Sequence, residues 1–298
     1  MRMLLFVTVF FCAVGCGAHS RQVAPLGTET PASPTSSVDD AELLRVQARA
    51  HAIVASEHAA IAATDALLSS KDVVVDPARM QMNLTVPHEG AWYGLFGRLD
   101  EAGNFIAAVA WKAPLEEPQW MERVPVESLP TDFSAPARAV VTARGITEEM
   151  FGRPTVNPVV LREDSGELTV YTLQGTHEQD RLYFGGDLRF RFSRDGRSIL
   201  EQVKLHSSVI TVEIVTEETK RTTGSVHSHV LFKGPQETEL ALMMLYPSLS
   251  LLTVFHADSE VAYFLRPDGS IGIYDQKTRQ LRVLQPEGSF TVPTEPEE

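Results

Sequence analysis

Leu188–Val203 reads LRFRFSRDGRSILEQV: an apolar-rich strand, a tight turn at Arg194-Asp195-Gly196, and a second strand. Three other segments repeat this design. Tyr93 to Trp111 turns near Asp100-Glu101-Ala102-Gly103, Val159 to Leu173 turns at Asp164-Ser165-Gly166, and Ala262 to Tyr274 turns at Pro267-Asp268-Gly269. Asp-Gly and related pairs supply the positive-φ residues that tight hairpins need. The spacing between hairpins is irregular, which excludes a propeller or solenoid. From Lys71 onward the apolar period is two. The segment Ser134 to Gly145 reads as a short helix with a glycine stop, and Glu237 to Leu245 as a second short helix closed by Pro247. The expected fold is therefore α+β: antiparallel, hairpin-rich sheet under a few short covering helices.

Upstream of the strands, Ala41 to Leu68 carries Leu43, Val46, Ala50, Ile53, Val54, Ile61, Leu67 and Leu68 at a roughly 3.6-residue repeat. It predicts one long helix over 39–70, with Asp39 and Asp40 as cap and first-turn acids. That helix serves either as a spacer or as a packed element. His51 and His58 share a face two turns apart, too far for a metal pair, and read as surface or groove histidines. Trp92, Tyr93, Phe96, Phe105 and Trp111 alternate as a hairpin core, whereas Trp120, in the proline-bearing loop 114–131, is the aromatic expected at the surface. The body is either one domain over 71–290 or an N-terminal part (71–155) followed by a C-terminal part (156–284). A proline-rich acidic tail occupies 285–298.

The chain has 298 residues, a formal net charge of −13 and two cysteines. No basic cluster stands out, which argues against a nucleic-acid partner. Both cysteines, Cys12 and Cys16, lie in the first sixteen residues, so the body has neither a disulfide framework nor a cysteine-based zinc site. Arg2 precedes the uncharged apolar run Leu4–Val14, which as a helix reaches roughly 16 Å, about half of a bilayer core. It reads as the apolar region of a secretory signal. Ala13-Val14-Gly15-Cys16 resembles the lipobox of bacterial lipoproteins. The resemblance implies cleavage after residue 15 and lipid on the Cys16 thiol, and Gly17 in the next position implies the outer membrane. Lipidated chains anchor without spanning. Residues 16–38, rich in Pro, Ser, Thr, Gly and Ala, read as a disordered tether. The partners expected are the membrane, through the lipid, and another envelope protein.

The stretch Gly224-Ser225-Val226-His227-Ser228-His229 holds the candidate chemistry. Residues i and i+2 of a strand share a face, so His227 and His229 can both reach one metal. Pro235-Gln236-Glu237-Thr238-Glu239-Leu240 then opens a helix that can return a carboxylate to them. Two imidazoles, one acid and a water are the ingredients of a catalytic zinc site. The other reading is a solvated polar sheet face beside Thr222 and Thr223, with Glu237 and Glu239 serving the helix dipole. Six further histidines, at 51, 58, 88, 177, 206 and 256, have no metal-type partner nearby in sequence.

Strand, His-x-His, loop, acidic helix start and following strands together resemble the JAB/MPN metallopeptidase core over residues 185–275. The resemblance implies His227 and His229 as zinc ligands and Glu239 as the third. Val230 stands where that family has proline, Gln236 where it has serine, and the gap is two residues shorter. The family's general base maps onto no single residue among Glu201, Glu213, Glu217 and Glu218, with Glu218 the nominal candidate. The function expected is a membrane-anchored, non-enzymatic binding or assembly-assisting lipoprotein. The alternative is a zinc-dependent peptidase or amidase using His227, His229 and Glu239.

Overall fold

The computed structural model describes residues 38–152, 155–175, 181–213 and 225–293. Cys12, Cys16, most of the tether, His177, Glu217, Glu218, Thr222, Thr223 and the last five residues lie outside them. The fold is α+β. Helix α1 (Asp40–Ser69) is followed by β1 (Met82–His88), β2 (Ala91–Leu99), β3 (Phe105–Pro114) and β4 (Glu122–Val124), which form one antiparallel sheet in that order. After α2 (Ser134–Phe151), the strands β5 (Val156–Arg162), β6 (Leu168–Gln174), β8 (Leu188–Phe192) and β9 (Ile199–Lys204) form a second antiparallel sheet. Strand β7 (Arg181–Gly185) leaves it to pair with β10 (Val209–Glu213).

The third sheet begins with β11 (Ser225–His229). Helix α3 (Glu237–Leu245) comes next, then β12 (Leu252–His256), β13 (Val261–Leu265), β14 (Ile271–Asp275), β15 (Gln280–Leu284) and β16 (Phe290–Thr291). All neighbours in this sheet are antiparallel except β11 and β12, which run parallel because α3 lies in the connection between them. All four hairpins expected from their turns are present, as β2–β3, β5–β6, β8–β9 and β13–β14.

Period-two patterning explains how the second sheet holds the molecule together. Every residue of β6 is buried. Leu168 and Val170 join Val140, Ala143, Phe190 and Phe192 on the α2 side. Tyr171 and Leu173 join Leu43, Val46, Ile53 and Leu240 on the side of α1 and α3. Helix α1 is packed rather than a free spacer. Asp39 caps it by accepting the Glu42 N–H at 2.8 Å. Its first half enters the core with α3 and the third sheet, while Ala63 and Leu67 reach Phe96 and Trp111 of the first sheet. Over 30 residues it runs about 45 Å, bridging the three larger sheets. His51 and His58 are exposed on it, as expected.

Two local expectations change. Helix α2 does not stop at Gly145 but continues to Phe151. Burial of Ala143 and Thr147 against the second sheet, with Thr147 Oγ1 2.9 Å from Thr172 Oγ1, carries it past the glycine. Gly152, at φ 64°, is the true left-handed stop. The stretch after 284 is also not all tail, since Phe290–Thr291 pairs with β15. Trp92, Tyr93, Phe96, Phe105 and Trp111 are core, and Trp120 is 63% exposed. Among the described residues, no helix is long and apolar enough to cross a membrane.

Candidate metal centre

Strand β11 lies at one edge of its six-stranded sheet, and its two histidines point the same way, inward toward α3. Helix α3 opens with a capping box: the Gln236 side chain accepts the Glu239 N–H, and Glu239 Oε2 accepts the Gln236 N–H at 2.8 Å. That clamp fixes the carboxylate so that its other oxygen, Oε1, faces the imidazoles. Glu239 thus serves the helix start through one oxygen and presents the other to the histidines.

Around Glu239 Oε1 stand His229 Nε2 at 2.8 Å, His206 Nε2 at 3.1 Å and His227 Nε2 at 3.8 Å. The four residues place one ligand atom each within 4.8 Å of one another. Tetrahedral coordination with bonds near 2.0–2.1 Å separates ligand atoms by about 3.3 Å, so the observed spacings bracket the required one. The rings are steeply inclined to one another, with interplanar angles of 87° between His227 and His229, 85° between His206 and His227, and 67° between His206 and His229. The side chains of His206, His229 and Glu239 are buried, and that of His227 is 11% exposed.

Two of the imidazoles, those of His229 and His206, are oriented from behind. His229 Nδ1–H donates to the Gly234 carbonyl at 2.9 Å, and His206 Nδ1–H donates to Asp187 Oδ1 at 2.5 Å. Asp187 is itself held by the Thr238 hydroxyl on α3. With Nδ1 carrying the proton, Nε2 of a neutral ring is a lone pair, and it faces the carboxylate oxygen of Glu239. Acceptor against acceptor at 2.8–3.1 Å requires a cation between them, either a proton on each ring or a metal ion. A histidine whose other nitrogen is tied to a carboxylate or carbonyl is the usual support of a metal ligand. A divalent ion with Glu239 and Asp187 also leaves no net formal charge in a buried site.

Protons and metal compete for the same lone pairs. Burial disfavours the charged form of His206, but the Asp187 carboxylate, reinforced by Glu239, outweighs it and pushes the pKa up to about 10. Burial would raise Glu239, yet the hydrogen bonds from His206 and His229 hold it well below the ordinary carboxylate range. Burial lowers His227, with the neighbouring His229 and His206 adding to the effect against Glu239. The buried group His206, His227, His229 and Glu239 is able to hold a metal ion.

His227, His229 and Glu239 therefore come together as their spacing suggested. Glu237 does not join them: it accepts from Tyr171 Oη at 2.9 Å and Arg189 Nη1 at 2.7 Å. Glu201 is exposed and bonded to Arg191, while Glu218 lies outside the described residues. His206 and its partner Asp187 were not identified from sequence. A signal for them existed in the β8–β9 hairpin, whose register pairs Leu188 with Lys204. The next positions outward, Asp187 and Leu205, are hydrogen-bonded, which sets His206 beside Asp187 at the hairpin's mouth. Gly185, at φ 71°, passes so close that a Cβ there would lie 2.9 Å from the His206 Cβ.

No family model, curated protein or solved structure matches this chain. The site is accordingly described by its own groups: three imidazoles and one carboxylate, with His206 and His229 supported from behind.

Proposed function

We propose that this chain is an envelope lipoprotein, anchored through lipid on Cys16, whose folded body carries one first-row transition metal ion on His206, His227, His229 and Glu239. The convergence of four ligand atoms within 4.8 Å carries this reading. Imidazole donors suit zinc, copper, nickel and iron, and a tetrahedral arrangement without sulfur favours zinc. Four protein ligands leave a tetrahedral ion no open position, which is the pattern of a structural site. The metal then locks β11 and α3 to the mouth of the β8–β9 hairpin, and the body serves to bind another envelope component. Val38 packs over Gly234 in the loop that orients His229.

The second reading is a JAB-like zinc peptidase or amidase. It requires the ion to accept a fifth ligand, water, and the partial exposure of His227 favours that approach from its side.

Metal analysis of the full chain, purified from membranes in detergent, tests the proposal. We expect about one equivalent of zinc, falling below about 0.1 in the His227→Ala/His229→Ala variant. In Cys16→Ala the metal content is expected to stay the same while incorporation of labelled fatty acid into the chain is lost. A wild-type chain with no metal would overturn the centre, and a wild-type chain that takes up no labelled fatty acid would overturn the anchor.

A further inference from the structure

A second site lies on the other side of the α3 N-terminus from the metal. Arg45 and Arg49 on α1 are spaced i, i+4, and Arg189 and Arg191 on β8 are spaced i, i+2. Each spacing puts both side chains on one face of its element. The two faces meet across a cleft of about 660 Å³, floored by the buried Tyr171. That volume is in the range of small-molecule sites, but the lining here is polar throughout apart from the tyrosine ring.

The four guanidiniums are held in place without being used up. Glu42 takes two N–H groups of Arg45, at 2.6 and 2.8 Å, and Glu163 takes one from Arg49 at 2.5 Å. Glu237 takes one from Arg189, and Arg191 reaches Glu167 at 3.1 Å and Glu201 at 3.2 Å. A guanidinium offers five N–H groups, and each of these spends one or two. Arg189 and Arg45 also converge on the same buried oxygen of Glu237, the latter at 3.7 Å. The pairs made by Arg49 and Arg191 are partly open to water. Such exposed ion pairs are weak and readily give way to an entering anion.

The geometry points to a binding site for a small oxyanion, a carboxylate or a phosphate group, gripped between Arg49 and Arg191 over Tyr171. Planar guanidinium forks match both groups through paired charge-assisted hydrogen bonds. The acids around the rim keep the cleft near neutrality and disfavour long polyanions. The site therefore selects a small molecule that also offers O–H or N–H donors to Glu163 and Glu201.

Titration calorimetry of the full chain with sodium phosphate and, separately, sodium succinate tests this site. At least one of the two is expected to bind in the millimolar range or tighter. Arg49→Gln/Arg191→Gln should weaken that binding by about tenfold or more. Arg138→Gln should leave it unchanged, because that guanidinium caps the Gly103 and Asp195 carbonyls elsewhere. Binding of phosphate alone assigns a phosphorylated ligand, of succinate alone a carboxylate, and of both an oxyanion of either kind. The His227→Ala/His229→Ala variant should still bind the anion, since this site does not depend on the metal. Loss of binding there would place the anion on the metal and overturn this proposal alone. Absence of binding at about 10 mM of either anion would overturn it too, as would equal weakening by Arg138→Gln.

Discussion

His206→Ala should lower the affinity of the chain for zinc by at least about 100-fold, measured by competition with a chromophoric chelator. Removing a group that only supports a ligand typically costs 10–100-fold, so removing a ligand costs no less. His206 Nε2 lies 3.1 Å from Glu239 Oε1, inside the same ligand cage as His227 and His229. Asp187→Asn is the companion variant. Its amide keeps the shape but loses the carboxylate charge opposite His206 Nδ1, and about a 10–100-fold loss is expected. If zinc affinity changed less than about threefold in His206→Ala, the centre would reduce to the three residues evident from spacing, and its closed character would be lost.

The second large effect is an opposition between two pH profiles. In the metal-free chain the His206 pKa is raised to about 10 from its ordinary value near 6.5. The stabilisation it contributes is complete below about pH 6.5 and is lost as pH rises toward 10. Glu239 is depressed, so its contribution is present above about pH 4.3 and is lost on acidification. Through His206 the metal-free chain should lose resistance to urea as pH rises from about 6.5 toward 10, and through Glu239 it should lose resistance again on acidification below about pH 4.3. Metal binding needs the imidazole lone pairs free, and the ion must displace the proton from His206. Zinc affinity should accordingly rise with pH, by about tenfold per unit for each proton displaced, between about pH 6.5 and 9. Two profiles of the same slope would contradict a shared set of lone pairs.

The hairpins were legible because each is a local event. A Gly-containing turn and an apolar alternation lie within about twenty residues, and the register follows from the turn. The helix start at Glu237 was equally local, and so was the shared face of His227 and His229. What escaped was set by packing between distant elements. Helix α2 outruns Gly145 because the second sheet buries Ala143 and Thr147, which no pattern inside the helix announces. The parallel pairing of β11 with β12 depends on where α3 packs. His206 is contributed by the end of a hairpin whose strands had no visible tie to the His-x-His strand. Asp187 reaches the centre through that histidine and Thr238. The polar cleft draws its arginines from α1 and β8, which the sequence separates by about 140 residues. On the line of sequence each pair resembles an ordinary solvated face, and only the packing of α1 on the second sheet makes them confront one another.

X-ray absorption at the edge of the metal that co-purifies with the chain tests the central claim most directly. A closed His206, His227, His229 and Glu239 centre predicts four nitrogen or oxygen neighbours at about 2.0–2.1 Å, with outer-shell scattering from three imidazole rings. A shell of oxygen neighbours with one imidazole or none would contradict it.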